Sequence, residues 1–98
     1  MRIRIHPEAE TEFYTSVDFY AEESLTAAER FIQEVEYAMD QISLFPNRWP
    51  EIEGNARGKF LKKFPFTIVY RPIADEVHIL AIMHQSRKPR YWQDRSIN

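Results

Sequence analysis

The chain has 98 residues, 44% of them hydrophobic, and no cysteine, which suits one compact core and excludes disulfides and thiolate metal sites. Its apolar runs fall well short of the roughly 18 residues that span a bilayer, and Met1-Arg2-Ile3-Arg4-Ile5 is not the apolar stretch of a secretion signal. The net charge of −2 conceals two unlike halves: residues 1–56 carry four Lys/Arg against twelve Asp/Glu, residues 57–98 nine against three, a polarity that points to two faces with different partners.

With no repeat, linker or low-complexity tract, residues 1–98 read as one cytoplasmic domain with no membrane segment. Arg2 to His6 alternates charged and β-branched residues, the pattern of a short half-buried strand. Pro7 suits the first turn of a helix, and Glu8, Glu10 and Glu12 favour its positive end. Ala9, Phe13, Val17 and Tyr20 then recur at helical spacing to about residue 23. Ser24-Leu25-Thr26 interrupts, and Thr26 with Glu29 forms a capping box that opens a second helix. Its buried stripe is Phe31, Val35, Ala38/Met39 and Ile42, and Phe45-Pro46 ends it.

Asn47 to Gly58 reads as a loop packed down by Trp49 and Ile52. Three strand-like runs follow: Phe60 to Phe64, Phe66 to Arg71 and Val77 to His84. In the second, Phe66, Ile68 and Tyr70 share one face, and Thr67, Val69 and Arg71 the other. The last is apolar on both faces, as a central strand requires. The expected architecture is α+β in the order β-α-α-β-β-β, with a helical hairpin on one face of a small, curved, mainly antiparallel sheet. The other face is expected to stay open as a cationic concavity. Tyr91-Trp92 in the tail are expected to add a helical turn.

These stretches, in this order, resemble the RelE/ParE toxin superfamily and its plasmid stabilisation relatives. The matching residues are Pro7-Glu8-Ala9-Glu10 with Tyr20, then Ala28-Glu29-Arg30-Phe31 running to Pro46 and Trp49-Pro50. Next come Phe64-Pro65-Phe66 leading to Ile68-Val69-Tyr70-Arg71, and His84-Gln85-Ser86-Arg87-Lys88-Pro89 with Tyr91-Trp92 and Arg95. The resemblance implies the toxin component of a type II toxin–antitoxin system, inhibiting growth until a cognate antitoxin protein binds it. It implies no cofactor, and an assembly that is a homodimer or a toxin–antitoxin hetero-oligomer. Two actions recur in the superfamily: RelE-like members cut mRNA in the ribosomal A site, and ParE-like members inhibit DNA gyrase.

Metal-free RNA cleavage needs a base for a 2′-hydroxyl, cations for the crowded phosphate and a proton for the leaving oxygen. His84, Arg87, Arg71 and Tyr91 are the candidates for such a catalytic set. Plainer roles compete with each: His84 fixing the turn after its strand, Arg71 pairing with Asp75 or Glu76, and Tyr91-Trp92 covering the core. His78 and His84 share a face under strict alternation but lie roughly 20 Å apart at 3.3 Å per residue, so no metal joins them. The chain also departs from RelE-type nucleases. Thr67 follows the aromatic Phe66 where those enzymes carry an arginine, and Trp92 stands near the position of their tyrosine. Nor is the chain basic, as a ribosome-directed nuclease would be. A ParE-like action on gyrase is therefore preferred, with a RelE-like nuclease or a non-toxic protein-binding relative as the alternatives. Partner binding is assigned to Arg57, Lys59, Lys63, Arg71, Arg87 and Trp92, facing an acidic or mixed-charge antitoxin segment.

Overall fold

A computed structural model describes residues 1–97. Strand β1 (Arg2–Ile5) leads through His6 into helix α1 (Pro7–Glu23), then α2 (Leu25–Leu44). Four strands follow: β2 (Glu51–Glu53), β3 (Ala56–Phe60), β4 (Phe66–Ile73) and β5 (Glu76–His84). They form one sheet in the order β1-β5-β4-β3-β2. β1 runs parallel to β5, and the other neighbours are antiparallel.

The helix starts are fixed by side chains that satisfy orphan backbone donors. His6 Nδ1 accepts from Glu8 N at 3.1 Å, just ahead of Pro7. For α2 the cap is Ser24, whose hydroxyl accepts from Ala27 N at 2.9 Å. This corrects the capping box placed at Thr26: the helix begins two residues earlier because Ser24 is extended and serves as the cap. The α2 stripe falls as its spacing predicts, with Phe31, Val35, Ala38 and Ile42 all buried. On α1 only Ala9 is fully buried, while Phe13, Val17 and Tyr20 pack against the core from its edge.

The expected loop from Asn47 to Gly58 contains a hairpin that alternation did not reveal. β2 is only three residues long, and the turn at Gly54-Asn55 places both residues at positive φ, 51° and 66°. The following strand ends at Phe60, whereas the apolar pattern runs on to Phe64. Residues 61–65 instead form a turn, in which Leu61 N donates to Phe66 O at 2.9 Å. Glu34 of α2 holds this turn by accepting from the backbone N–H groups of Lys62 and Lys63.

The register of β4 against β5 shifts by one residue between Val69 and Tyr70, leaving Leu80 as an extra residue on β5. Val77 and Ile79 face the helices, Leu80 and Ala81 both face away, and Ile82 returns to the helix side. The bulge therefore places His84 with Phe66 on the helix side, whereas His78 lies opposite. The two histidines do not share a face, contrary to strict alternation.

The outer face of the sheet is also covered. Ala56, Val69, Leu80 and Ala81 form a second small core with Trp92, which is 2% exposed, and Met83 and Tyr91 border it. The tail folds into successive tight turns, with Gln93 N donating to Arg90 O and Arg95 N to Trp92 O, each at 2.9 Å. The expected open concavity is filled at its centre by the chain's own C-terminal segment.

Candidate functional site

The tail is held down by one carboxylate. β1 covers the outer edge of β5 only as far as Ile79, leaving the backbone groups at Leu80 and Ile82 without a strand partner. Glu12 of α1 fills the gap: its Oε1 accepts from Ile82 N at 3.0 Å. The same carboxylate accepts from Tyr91 Oη at 2.8 Å and from both terminal nitrogens of Arg95 at 3.0 Å. Arg95 also donates to Leu80 O at 3.0 Å. Glu12 and Arg95 thus take the place of an absent strand and clamp Trp92 over the second core.

Tyr91 lies between two cations, with the Arg87 guanidinium 3.9 Å and that of Arg95 4.9 Å from its ring centre. Burial, and then the hydrogen bond it gives Glu12, push the Tyr91 phenol above its ordinary value. Such a phenol keeps its proton and is a poor general base.

His84 is engaged through one ring nitrogen. Its Nδ1 accepts from Ser86 N at 3.0 Å and touches Ser86 Oγ at 2.7 Å, closing the turn after β5. Its ring packs edge-on against Phe66, centroids 5.1 Å apart. Arg87 is half-exposed and lies 3.9 Å from Glu12. His84, Arg87 and Tyr91 are thus neighbours around α1. Arg71 is not. It pairs in register with His78 on the outer face, six residues along β5 from His84, about 20 Å at the rise of a strand. Three of the four catalytic candidates therefore lie together, and Arg71 lies apart from them.

The partner-binding candidates also separate. Arg57 is mostly buried and structural, donating to Asn47 O at 3.2 Å and Trp49 O at 2.7 Å. Trp92 belongs to the second core and presents no surface to a partner in this conformation. Lys59 and Lys63 do meet, across a groove between α2 and the β3–β4 turn that also holds Arg30, Tyr37, Phe60 and Lys62. The groove occupies about 540 Å³. Tyr37 and Phe60 are 63% and 68% exposed there, far more than apolar side chains of a sealed core. Lys59 Nζ sits 4.4 Å from the Trp49 ring centre, and burial, then the nearby Lys62 and Arg48, lower its pKa. Among the described residues the one carboxylate in the lining, Glu34, is engaged by backbone N–H groups, so the groove is cationic and aromatic.

Sequence reasoning missed Glu12 as a hub, and Arg30, Tyr37 and Phe60 as groove residues. Glu12 borders the α1 stripe between Ala9 and Phe13, and a carboxylate there carries a signal. Tyr37 is likewise an aromatic off the buried stripe of α2.

A helical hairpin on one face of a five-stranded mixed sheet, with the C-terminal tail on the other, defines the small α+β toxin fold of the RelE/ParE class. The chain belongs to the family of the ParE toxin of the type II toxin–antitoxin system parDE, whose family model matches residues 3–89. No curated protein matches it in sequence. Among solved structures it is similar to one described as the chromosomal ParDE TA system from P. aeruginosa, with a TM-score of 0.62 and 20% identity. That match covers 86% of this chain and 95% of the other. At this identity the likeness shows the fold.

Proposed function

We propose that this member of the ParE toxin family is a cytoplasmic toxin that inhibits DNA gyrase by binding it, and that a cognate antitoxin neutralises it by direct contact. The observation that carries this reading is that the groups an RNase would need are engaged in structural contacts, with Arg71 apart from the rest. Tyr91 keeps its proton and donates a hydrogen bond to Glu12, His84 Nδ1 is taken by Ser86, and Arg71 lies on the far face. Thr67, where an RNase of this superfamily has an arginine, is 1% exposed and supplies no cation. Binding, in contrast, needs only a complementary surface, and the Lys59–Lys62–Lys63 groove with Phe60 and Tyr37 supplies charge and exposed aromatic area together. An antitoxin segment bearing acidic and apolar side chains fits it.

The test is gyrase supercoiling in vitro with the purified protein. Inhibition that rises with toxin and is relieved by the antitoxin encoded beside it supports the proposal. Unimpaired supercoiling at saturating toxin, with ribosome-dependent cleavage of mRNA in a parallel translation reaction, would overturn it in favour of the nuclease. The antitoxin contact is tested separately by Lys59→Glu with Phe60→Ser: release from neutralisation with unchanged thermal stability is expected, and unchanged antitoxin affinity would refute the groove assignment.

A further inference from the structure

A second concavity lies on the opposite side of the hairpin, between α1 and the end of β5, with a volume of about 470 Å³. Its floor is apolar, made by Tyr20, Phe66 and Ile82, with Phe19 at 60% exposure forming one wall. Two polar groups stand at its other end, His84 and Arg87.

The hydrogen bonds around His84 determine what it offers. Ser86 N donates to Nδ1, so the proton of the neutral ring is on Nε2. Nε2 has no hydrogen-bond partner among the described residues. Arg87 is the companion donor. Its guanidinium is half-exposed, stacks on Tyr91, and reaches Glu12 only at 3.9 Å, beyond hydrogen-bond distance. Glu12 also lines the pocket, yet its carboxylate is saturated by Ile82 N, Tyr91 and Arg95. The pocket therefore presents two unused donors, one of them a fixed cation, above an aromatic floor.

From this we infer that the pocket is a binding site for a single carboxylate carried on an apolar or aromatic arm, presented by a protein segment. A carboxylate matches the Arg87 fork and the His84 donor, and its apolar arm covers the Phe66 and Tyr20 rings. Nucleic acid is the poorer occupant. Helix α1 carries Glu8, Glu10, Glu12, Asp18, Glu22 and Glu23, a field that repels a chain of phosphates while leaving room for one anion beside Arg87. The site goes beyond the gyrase reading and lies apart from the lysine groove.

The test uses 3-phenylpropanoate as the probe in an NMR titration of the full-length protein. Its neutral amide, 3-phenylpropanamide, is the charge control, and a short single-stranded oligonucleotide is the competitor. Saturable shifts confined to the Ser16, Phe66, Ser86 and Arg87 amides are expected, with the amide probe at least about fivefold weaker. Arg87→Gln is expected to weaken the carboxylate about tenfold, equivalent to about 1.4 kcal/mol. His84→Phe, which retains an aromatic edge against Phe66, is expected to weaken it several-fold, and a thermal melt of each variant verifies folding. Equal binding of acid and amide, or scattered or absent shifts, would overturn the site. Displacement of the probe by the oligonucleotide would reassign it to nucleic acid. None of these outcomes depends on whether gyrase is the target, so the site and the proposed function fail separately.

Discussion

Replacing Glu12 by alanine removes, in one step, the acceptor for Ile82 N, Tyr91 Oη and both terminal nitrogens of Arg95. The Arg95 side chain is only 10% exposed, so the substitution leaves a nearly buried cation facing an emptied site. Breaking such a pair from one side costs about 3–5 kcal/mol. Arg95 keeps Leu80 O at 3.0 Å and Glu8 at 3.6 Å, which places the expected loss at the lower end, about 3 kcal/mol. That is a large part of the roughly 5–15 kcal/mol that holds a domain folded. Urea unfolding followed by tryptophan fluorescence measures it, because Trp92 sits directly under the clamp. Arg95→Met should cost less, since Glu12 still accepts from Ile82 N and Tyr91 Oη, and a double-mutant cycle should give a coupling of about 2 kcal/mol between the two. A loss below about 0.5 kcal/mol for Glu12→Ala, or additive effects in the cycle, would refute the clamp.

Three further outcomes follow from the same geometry. Tyr91 should titrate above the ordinary 10.0, so its stabilising contribution is fully present below that value and is lost as pH rises through the higher folded-state pKa. The tyrosine that disappears from the alkaline absorbance titration in Tyr91→Phe should be a late-titrating one, and its loss from the ordinary range would contradict the Glu12 contact. Glu76 shows the opposite sign. Hydrogen bonds from Arg2 and then His78 lower its carboxyl from 4.5 to about 2, so its stabilising effect is complete above the unfolded-state value and is lost as pH falls toward 2. An NMR titration of Glu76 should show that midpoint and an upward move in Arg2→Gln; an unmoved midpoint would refute the pairing. Thr67 Oγ1 is buried with no hydrogen-bond partner among the described residues, so Thr67→Val should be neutral or stabilising by up to about 1 kcal/mol in chemical denaturation. A clear loss of stability would point to a partner for that hydroxyl.

Much of the fold was legible because periodicity reports burial. The α2 stripe, the alternation of Phe66, Ile68 and Tyr70, and the two-faced apolar run of β5 all follow from side chains meeting a core. What escaped was set by hydrogen bonds with no period. The Leu80 bulge puts His84 and His78 on opposite faces although six residues of alternation would align them. The β2–β3 hairpin rests on the positive φ of Gly54 and Asn55 rather than on apolar pattern. The functional residues were harder still. Lys59 and Lys63 were recognisable as cations, but the groove that unites them depends on Glu34 anchoring the turn from another element. Arg71 and Trp92 read as surface candidates by type, yet Arg71 lies on the far face of the sheet, distant from His84, and Trp92 is covered. Glu12 looked like one of three N-terminal acids favouring a helix dipole, and only the end of β1 at Ile5 explains why this one is needed.

The order in which syntheses stop after induction in growing cells separates binding from cutting. If the toxin works by holding gyrase, DNA synthesis halts first, gyrase–DNA cleavage complexes accumulate and messenger RNA stays intact, with Tyr91→Phe as toxic as the parent chain. Protein synthesis halting first, with codon-phased mRNA breaks that Tyr91→Phe abolishes, would contradict it.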